Sequence, residues 1–490
     1  MREIPLTITN TLTNKREELV PQEEGLIRFY SCGPTTYDYL HVGNARALIV
    51  SDLMYRGMMA LGYKVLFVRN FTDVDDKIIQ RAKEQNMPPL ALSQKYLDEA
   101  LIDMANLNLM QSNHHPKVSD SINEIIELIN TLLDKNFAYA VNNEVYFDTA
   151  SYIEYGKLSK LKLDQLDHGH RVEQSANKKN PTDFVLWKPI KDPAEVSWES
   201  PWGKGRPGWH IECSAMAKKY MGDTIDLHHG GIDLIFPHHE NELAQSNCGN
   251  GAHFCDYWVH HEFVNFGDDK MSKSLGNVVT IREFNKIWDG IILRHIFLMI
   301  HYKSKIVWSE EIIEQAYNEV IRLNEFYAQW ISYDTLIPST SQQDKHWIAK
   351  IKVLKEEMCQ DVALDFNIPK VMALFFVFIK DIRRDVLIPE KSLDLKEKHA
   401  IKSFIDLFML ITGHFQEDPT KLLDRLNEKK KQSIQGGIDN QWVEEQVQLR
   451  KKYKIQKDWK KSDEIRDLLK TKGIILTDSA TGETTWKVGH

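Results

Sequence analysis

Two short, mostly apolar runs, LIRFYS at 26–31 and KVLFVR at 64–69, read as strands. Between them lie a turn at Cys32-Gly33-Pro34, the stretch His41-Val42-Gly43-Asn44, and a helical pattern through Leu61. Strand, crossover helix and strand make a βαβ unit. That unit implies a parallel sheet with its ligand at the carboxyl ends of the strands. Apolar spacing predicts mostly helix over 76–136. Residues 137–200 read as an insertion, with strands at NNEVYFD and DFVLWKP around the polar stretch DHGHRVEQSANKKN. Residues 201–266 return to α/β character, with DLHHGGIDL on a strand and its loop. Residues 267–276 form a loop containing glycine and lysine, and nearly everything from about 285 onward is helical. NEKKKQSIQGGIDN, 427–440, reads as a linker before a small module that ends the chain.

Length and composition narrow the class without naming a chemistry. A chain of 490 residues corresponds to about three domains at roughly 100–200 residues each. Hydrophobic residues at 42% and charged residues at 27% are those of a soluble globular protein with a large core. A net charge of −8 excludes a globally basic nucleic-acid coat, so any nucleic acid must meet local basic patches. Five cysteines in so long a chain make no disulfide framework and fit a reducing compartment. MREIPLTITNTL lacks a basic region followed by an apolar run and is no signal peptide. The longest apolar run, Val371 to Ile379, is about half of what a spanning helix needs. The expectation is a soluble cytoplasmic protein with no membrane contact, and a monomer.

FPHHENE, 236–242, crowds two histidines and two glutamates into five positions. On a helix, His238 and Glu242 share a face and can share an ion. The order is not H-E-x-x-H, so a metalloprotease site is excluded. Two ligands do not complete a tetrahedral zinc site, and zinc prefers Cys and His. Cys32 ends the first strand and Cys213 lies in PGWHIECSAM, so both can reach the carboxyl edge of the sheet. Spacing leaves His228, His229 and His239 equally available as ligands.

Two further motifs concern phosphate. HVGN, 41–44, places a histidine and an asparagine around a glycine at a helix N-terminus, a ready anion site. KMSKS, 270–274, puts Lys270 and Lys273 on a loop flanked by Gly267 and Gly276. Such a cationic clamp can stabilise charge on a leaving pyrophosphate.

With these motifs in this order, the sequence resembles the class I aminoacyl-tRNA synthetases and, among them, the cysteinyl-tRNA synthetase family. The resemblance runs nearly end to end. It is carried by YSCGPTTYDYLHVGNAR, RNFTDVDDKI, PGWHIECSAM, DLHHGGIDLIFPHHENELAQS, KMSKSLGN, DFNIPKVMALFF, KDWKKSDEIRDLL and GIILTDSATGETTWK. One departure is Asn44, which stands where the HIGH motif ends in histidine; asparagine still donates a hydrogen bond but carries no charge.

The resemblance implies an α/β fold: a Rossmann-type parallel-sheet catalytic domain with an insertion, then a helical bundle and a small C-terminal domain. The halves of the catalytic domain fall at 1–136 and 201–266, around an insertion at 137–200. The KMSKS loop and stem-contact region fall at 267–320, the bundle at 321–426, and an anticodon-binding module at 441–490. It implies ligation of L-cysteine to tRNA(Cys) through cysteinyl-adenylate, with ATP, Mg2+ accompanying ATP, and one zinc held by Cys32, Cys213, His238 and Glu242. His41, Asn44 and Asp233 then contact ATP. Lys270 and Lys273 stabilise the transition state, with Lys273 also on ATP, and Gly33, Thr72 and Trp209 line the amino-acid pocket. Zinc binds the substrate thiolate, and a separate editing domain becomes unnecessary. A shape-only pocket gains about 1–3 kcal/mol from so small a group, and the insertion is too short and plain for hydrolytic editing. Two alternatives share the resemblance: a ligase joining cysteine to an amino-sugar through the same adenylate, and an RNA-binding paralogue without catalysis. Residues 441–490 carry eleven Lys or Arg against eight Asp or Glu, a net of +3 at the end of an acidic chain, which favours tRNA.

Overall fold

The computed structural model describes residues 4–161, 176–192, 195–266, 269–270, 278–333, 346–390, 392–437, 440–456, 458–471, 474–478 and 484–488. At its centre is a four-stranded parallel sheet in the order Cys255–His261, Ile225–Gly231, Leu26–Ser31, Lys64–Arg69. Both expected strands keep the residues read from the sequence. Successive side chains of a strand face opposite sides, and here both sides are buried. Phe29, Phe67, Leu227 and Val259 enter one apolar core, while their neighbours Tyr30, Val68 and Trp258 enter another. Burial on both faces explains why these strands read as apolar runs rather than alternating ones.

The sheet's topology makes the crevice. From Leu26–Ser31 the chain crosses through helix Val42–Ala60 to Lys64–Arg69 on one side. From Ile225–Gly231 it crosses through helix Glu240–Asn250 to Cys255–His261 on the other side. The two central strands therefore diverge beyond their carboxyl ends, where open α/β sheets bind ligands.

The insertion forms a four-stranded antiparallel sheet, Ala138–Val141, Glu144–Phe147, Phe184–Pro189 and Gly205–Pro207. Its last strand lies beyond residue 200, because Trp187 pairs with Pro207 before helix Trp209–Met221 begins. Beyond residue 285 the strand Ile306–Trp308 interrupts the helices by pairing in parallel with Val264–Phe266. The segment expected as a linker at 427–440 is helical up to Gly437, as part of helix Pro419–Gly437. The polar stretch nonetheless continues a helix whose first two turns pack Leu422 and Leu426 into the main core. That core joins one face of the sheet to the helices from Gly290 to Leu426 without a break. The end of the chain packs helices Asn440–Ile455 and Trp459–Thr471 with a hairpin, Ile474–Asp478 and Thr484–Val488, around Val443, Val447, Ile465, Leu469 and Ile474. Among the described residues no helix is long and apolar enough to cross a membrane.

Candidate active site and metal centre

Four chain segments deliver the expected metal ligands to one point. Cys32 follows the central strand directly, and its N–H continues the ladder to the His229 carbonyl (3.2 Å). Cys213 lies in the second turn of helix Trp209–Met221. His238 and Glu242 do not share one regular helix as the spacing predicts. A wide turn, Ile235–His239, with Phe236 extended, leads into helix Glu240–Asn250. The two residues nonetheless meet, with His238 Nε2 2.9 Å from Glu242 Oε1.

The donor atoms of Cys32, Cys213, His238 and Glu242 all lie within 4.8 Å of one another. Cys32 Sγ is 3.9 Å from Cys213 Sγ and 3.6 Å from Glu242 Oε1, and Cys213 Sγ is 3.7 Å from His238 Nε2. Donors of a tetrahedral zinc, bound at roughly 2.0–2.3 Å, stand at just such separations. A second grouping, Cys32, His228, His239 and Glu242, satisfies the same distance test. It has one sulfur instead of two, and its imidazoles are already engaged. His228 Nε2 stands 2.9 Å from Glu242 Oε2, and His239 Nε2 stands 3.4 Å from Cys32 Sγ while its Nδ1 meets His260 Nε2 at 2.7 Å. His210 Nδ1 lies 3.0 Å from His238 Nδ1, which leaves His238 Nε2 facing the sulfurs. These are the supports that orient ligands and set their basicity. Sequence spacing could not separate the two groupings. The signal was the HH pair on a strand, whose members face opposite sides of the sheet.

Charge at this point is balanced by the same residues. Burial opposes ionisation of Glu242, but His228 and His238 hold its pKa down at about 2. Burial likewise disfavours the charged form of His238, yet Glu242 and Cys213 push it up to about 10. A hydrogen bond from Cys32 lowers the Cys213 thiol to about 6, while burial pushes Cys32 up. The Glu242 carboxylate and the Cys213 thiolate thus face one His238 imidazolium, an excess of negative charge that suits a cation.

Beside the cluster lies a cleft of about 580 Å3, lined among others by Cys32, Gly33, His41, Asn44, Gly231, Asp233 and Val264. Gly33 is fixed by its N–H donating to Asn70 Oδ1 (2.9 Å), and a Cβ there would lie 1.6 Å from the Asn70 carbonyl oxygen. Thr72 is buried and braces the same loop, donating its N–H to Pro34 and accepting from Thr36 N–H. Trp209, at the start of its helix and partly exposed, stacks on His238 at 4.1 Å. Trp209 and Asp233 also line a neighbouring cavity of about 280 Å3 against the insertion sheet.

His41 caps helix Val42–Ala60. Its Nδ1 accepts from Asn44 N–H (3.3 Å), and Asn44 Oδ1 accepts from His41 N–H (3.1 Å). The amide of Asn44 therefore closes a reciprocal cap with its oxygen and keeps its NH2 as the donor. Lys270 lies on the short strand Asp269–Lys270, opposite Asn265. Lys273 and the rest of KMSKS lie outside the described residues. The chain just beyond them returns to HVGN, where Val42 N–H donates to the Val279 carbonyl (3.0 Å) and Ile281 N–H to Leu40 (2.9 Å).

Residues 18–318 match the family described as tRNA synthetases class I (C) catalytic domain. Cysteine–tRNA ligases are similar over the whole chain. One from Thermodesulfovibrio yellowstonii is 42% identical over 99% of both chains, and one from Halalkalibacterium halodurans is 40% identical over 99% of both. The chain belongs to the cysteine–tRNA ligase family of class I synthetases. Solved class I synthetases share the fold at low identity. A Mycobacterium tuberculosis methionyl-tRNA synthetase in complex with methionyl-adenylate has a TM-score of 0.57 at 14% identity, covering 81% of this chain and 93% of that one. An Agrobacterium radiobacter LeuRS–tRNA–LeuAMS complex has a TM-score of 0.58 at 11% identity, covering 83% of this chain and 86% of that one. Membership in the family agrees with the fold class and the family resemblance read from the sequence.

Proposed function

We propose that this cysteine–tRNA ligase family member joins L-cysteine to tRNA(Cys) in two steps through cysteinyl-adenylate, with ATP and accompanying Mg2+. The observation that carries the reading is the meeting of two thiols, an imidazole and a carboxylate at the carboxyl end of the sheet, beside a cleft that ends at HVGN. Cys32, Cys213, His238 and Glu242 fit zinc by donor type and by spacing. Bound there, zinc supplies a soft Lewis acid that a cysteine thiolate can ligate and a serine hydroxyl ligates poorly.

The protein's own residues do the rest by positioning and charge. Gly33, Thr72 and Trp209 shape the amino-acid end of the pocket. The cysteine carboxylate attacks the α-phosphorus of ATP, and the bond to the bridging oxygen of pyrophosphate breaks. Asn44 donates its NH2 toward phosphate, and His41 holds the turn that aims it. Lys270 and Lys273 take up the charge that develops on pyrophosphate, and Asp233 contacts the ribose or the substrate amino group. A ribose hydroxyl of the terminal adenosine then attacks the acyl carbon, and AMP leaves. Curated relatives that match 99% of the chain are tRNA ligases, which favours tRNA over an amino-sugar as the acceptor. The test is cysteine-dependent ATP–pyrophosphate exchange followed by charging of tRNA, with metal content measured on the same sample. Exchange with cysteine but no charging would favour the amino-sugar ligase, and no exchange would favour a non-catalytic paralogue.

A further inference from the structure

Two neighbouring strands carry a histidine pair near their carboxyl ends, His228-His229 on Ile225–Gly231 and His260-His261 on Cys255–His261. The pleat divides each pair between the two faces of the sheet. His228 Nε2 meets Glu242 and His260 Nε2 meets His239, so these two support the metal cluster. His229 and His261 lie on the opposite face, that of Leu227, Val259 and the HVGN helix. There His261 Nδ1 stands 3.1 Å from His229 Nε2, and His229 Nδ1 stands 3.0 Å from Ser31 Oγ. The three side chains form a line across the carboxyl ends of three adjacent strands. Ser31 and His229 are buried, and His261 ends the line on the wall of the nucleotide cleft.

Gly231, the ladder partner of His261, marks what the line ends on. A Cβ on Gly231 would lie 2.6 Å from Asp233 Oδ1 and 3.6 Å from both Cε1 and Nε2 of His261. The carboxylate and the outer edge of the imidazole therefore border one spot, and both residues line the cleft. Burial and Arg46 push the His261 pKa down to about 3 against the pull of Asp233, and burial with the neighbouring histidines pushes His229 down as well. Each ring is then neutral with one proton to give, so the line has a direction. With the Ser31 hydroxyl donating to His229 Nδ1, His229 Nε2–H donates to His261 Nδ1. His261 Nε2 then keeps its proton on the side of Asp233. Polar groups buried in an apolar face carry a cost that apolar side chains would not, which points to a task at the open end of the line.

We propose that His261 is a positioning residue for ATP: aligned by His229 and Ser31, it holds the Asp233 carboxylate toward the ribose, on the face of the sheet opposite the metal cluster's histidine supports. This inference rests on the reading of the cleft as the ATP site and deepens it by assigning Asp233 to the ribose hydroxyls. His261 acts through Asp233, not on the reacting atoms.

Steady-state pyrophosphate exchange on the full-length, metal-loaded protein tests it, with ATP and its 2′-deoxy and 3′-deoxy analogues. His261→Ala is expected to raise the ATP KM about tenfold, while the cysteine KM stays within about two-fold and the zinc content is unchanged. His261→Asn, which keeps a donor, should recover part of the loss. His229→Leu, at a fully buried position, should raise the ATP KM about five-fold in the same selective way. Wild type should prefer ATP to at least one deoxy analogue, and that preference should shrink in His261→Ala. In an Asp233→Ala background, His261→Ala should add less than about two-fold. A merely structural pair would raise both KM values together and would not be rescued by asparagine. An unchanged ATP KM in His261→Ala overturns the proposal, as does an effect that simply multiplies with that of Asp233→Ala. If His261→Ala does not fold, His229→Leu decides by the same KM comparison. Absence of exchange in wild type would sink the ATP-site reading, and wild type without any deoxy preference would sink the ribose assignment, each taking this inference with it. A wild-type preference that the variants keep in full would sink the inference only.

Discussion

Replacing Cys213 with serine removes one of two sulfurs that stand 3.9 Å apart. Wild type is expected to hold about one zinc per chain, and the variant to hold well below that and to lose cysteine activation in step. Metal analysis and pyrophosphate exchange on one preparation check it, and a variant with full zinc and full exchange would remove Cys213 from the ligand set. Asp103 gives a second prediction. Burial pushes its pKa up to about 7, with Arg282 and Glu99 the charged groups beside it. The folded state then holds a proton that the unfolded chain, at a usual aspartate value near about 4, has released. The Asp103 contribution therefore falls as pH rises from about 4 to about 7 and is flat above. Asp103→Asn should gain melting temperature relative to wild type across that window and show no difference at its acid end. Parallel melting curves across pH would contradict the raised pKa.

At the scale of elements, the HVGN turn is tied to the chain at Val279–Ile281, a few residues beyond KMSKS. The main chain at Val279–Ile281 pairs with Leu40–Val42, so the helix cap and the exit of the lysine loop share hydrogen bonds. Lys273→Ala should lower kcat for adenylate formation about tenfold or more and leave the cysteine KM nearly unchanged, since the charge it meets develops only as pyrophosphate leaves. A rise confined to the cysteine KM would mean that the loop is not the pyrophosphate clamp. The helix between the motifs is held as firmly at its middle. Asp52 accepts from Arg56 (2.7 Å) and from Arg294 (2.6 Å), and Arg294 also donates to the Thr412 carbonyl (2.6 Å). The HVGN helix and the bundle are thereby locked in one register.

At the scale of the molecule, the chain is acidic as a whole and basic over its last fifty residues. Trp459 is 60% exposed there, a free aromatic face on which an unstacked base can lie. Deleting 441–490 should leave cysteine-dependent pyrophosphate exchange nearly intact, because the small core around Val443 and Leu469 is separate from the main one. Charging of tRNA should fall steeply, and the binding that is lost should be the salt-sensitive part. Equal loss of exchange and charging would make the module a structural tail, and unchanged charging would remove it from the tRNA interface.

The parallel strands at 26–31 and 64–69, the capped helix after HVGN and two of the four strands of the insertion sheet were legible because local apolar spacing and turn residues specify them. HVGN and KMSKS could be picked out as candidates because each is continuous in the chain. Local signals misled where packing outweighed them. The polar stretch 427–440 read as a linker, but a helix that packs Leu422 and Leu426 into the core runs on to Gly437. Spacing also named Cys32, Cys213, His238 and Glu242 only as candidates among several histidines. Their meeting, and the engagement of His228, His239 and His210 as supports, depends on two strands diverging at the centre of a sheet. Donor atoms up to 210 residues apart become neighbours only through that topology. The same holds for Arg282 and Asp103, whose side chains meet only in the folded chain. Sequence determines what is bonded along one element; which elements end at the same point is decided by how the sheet and its two cores close.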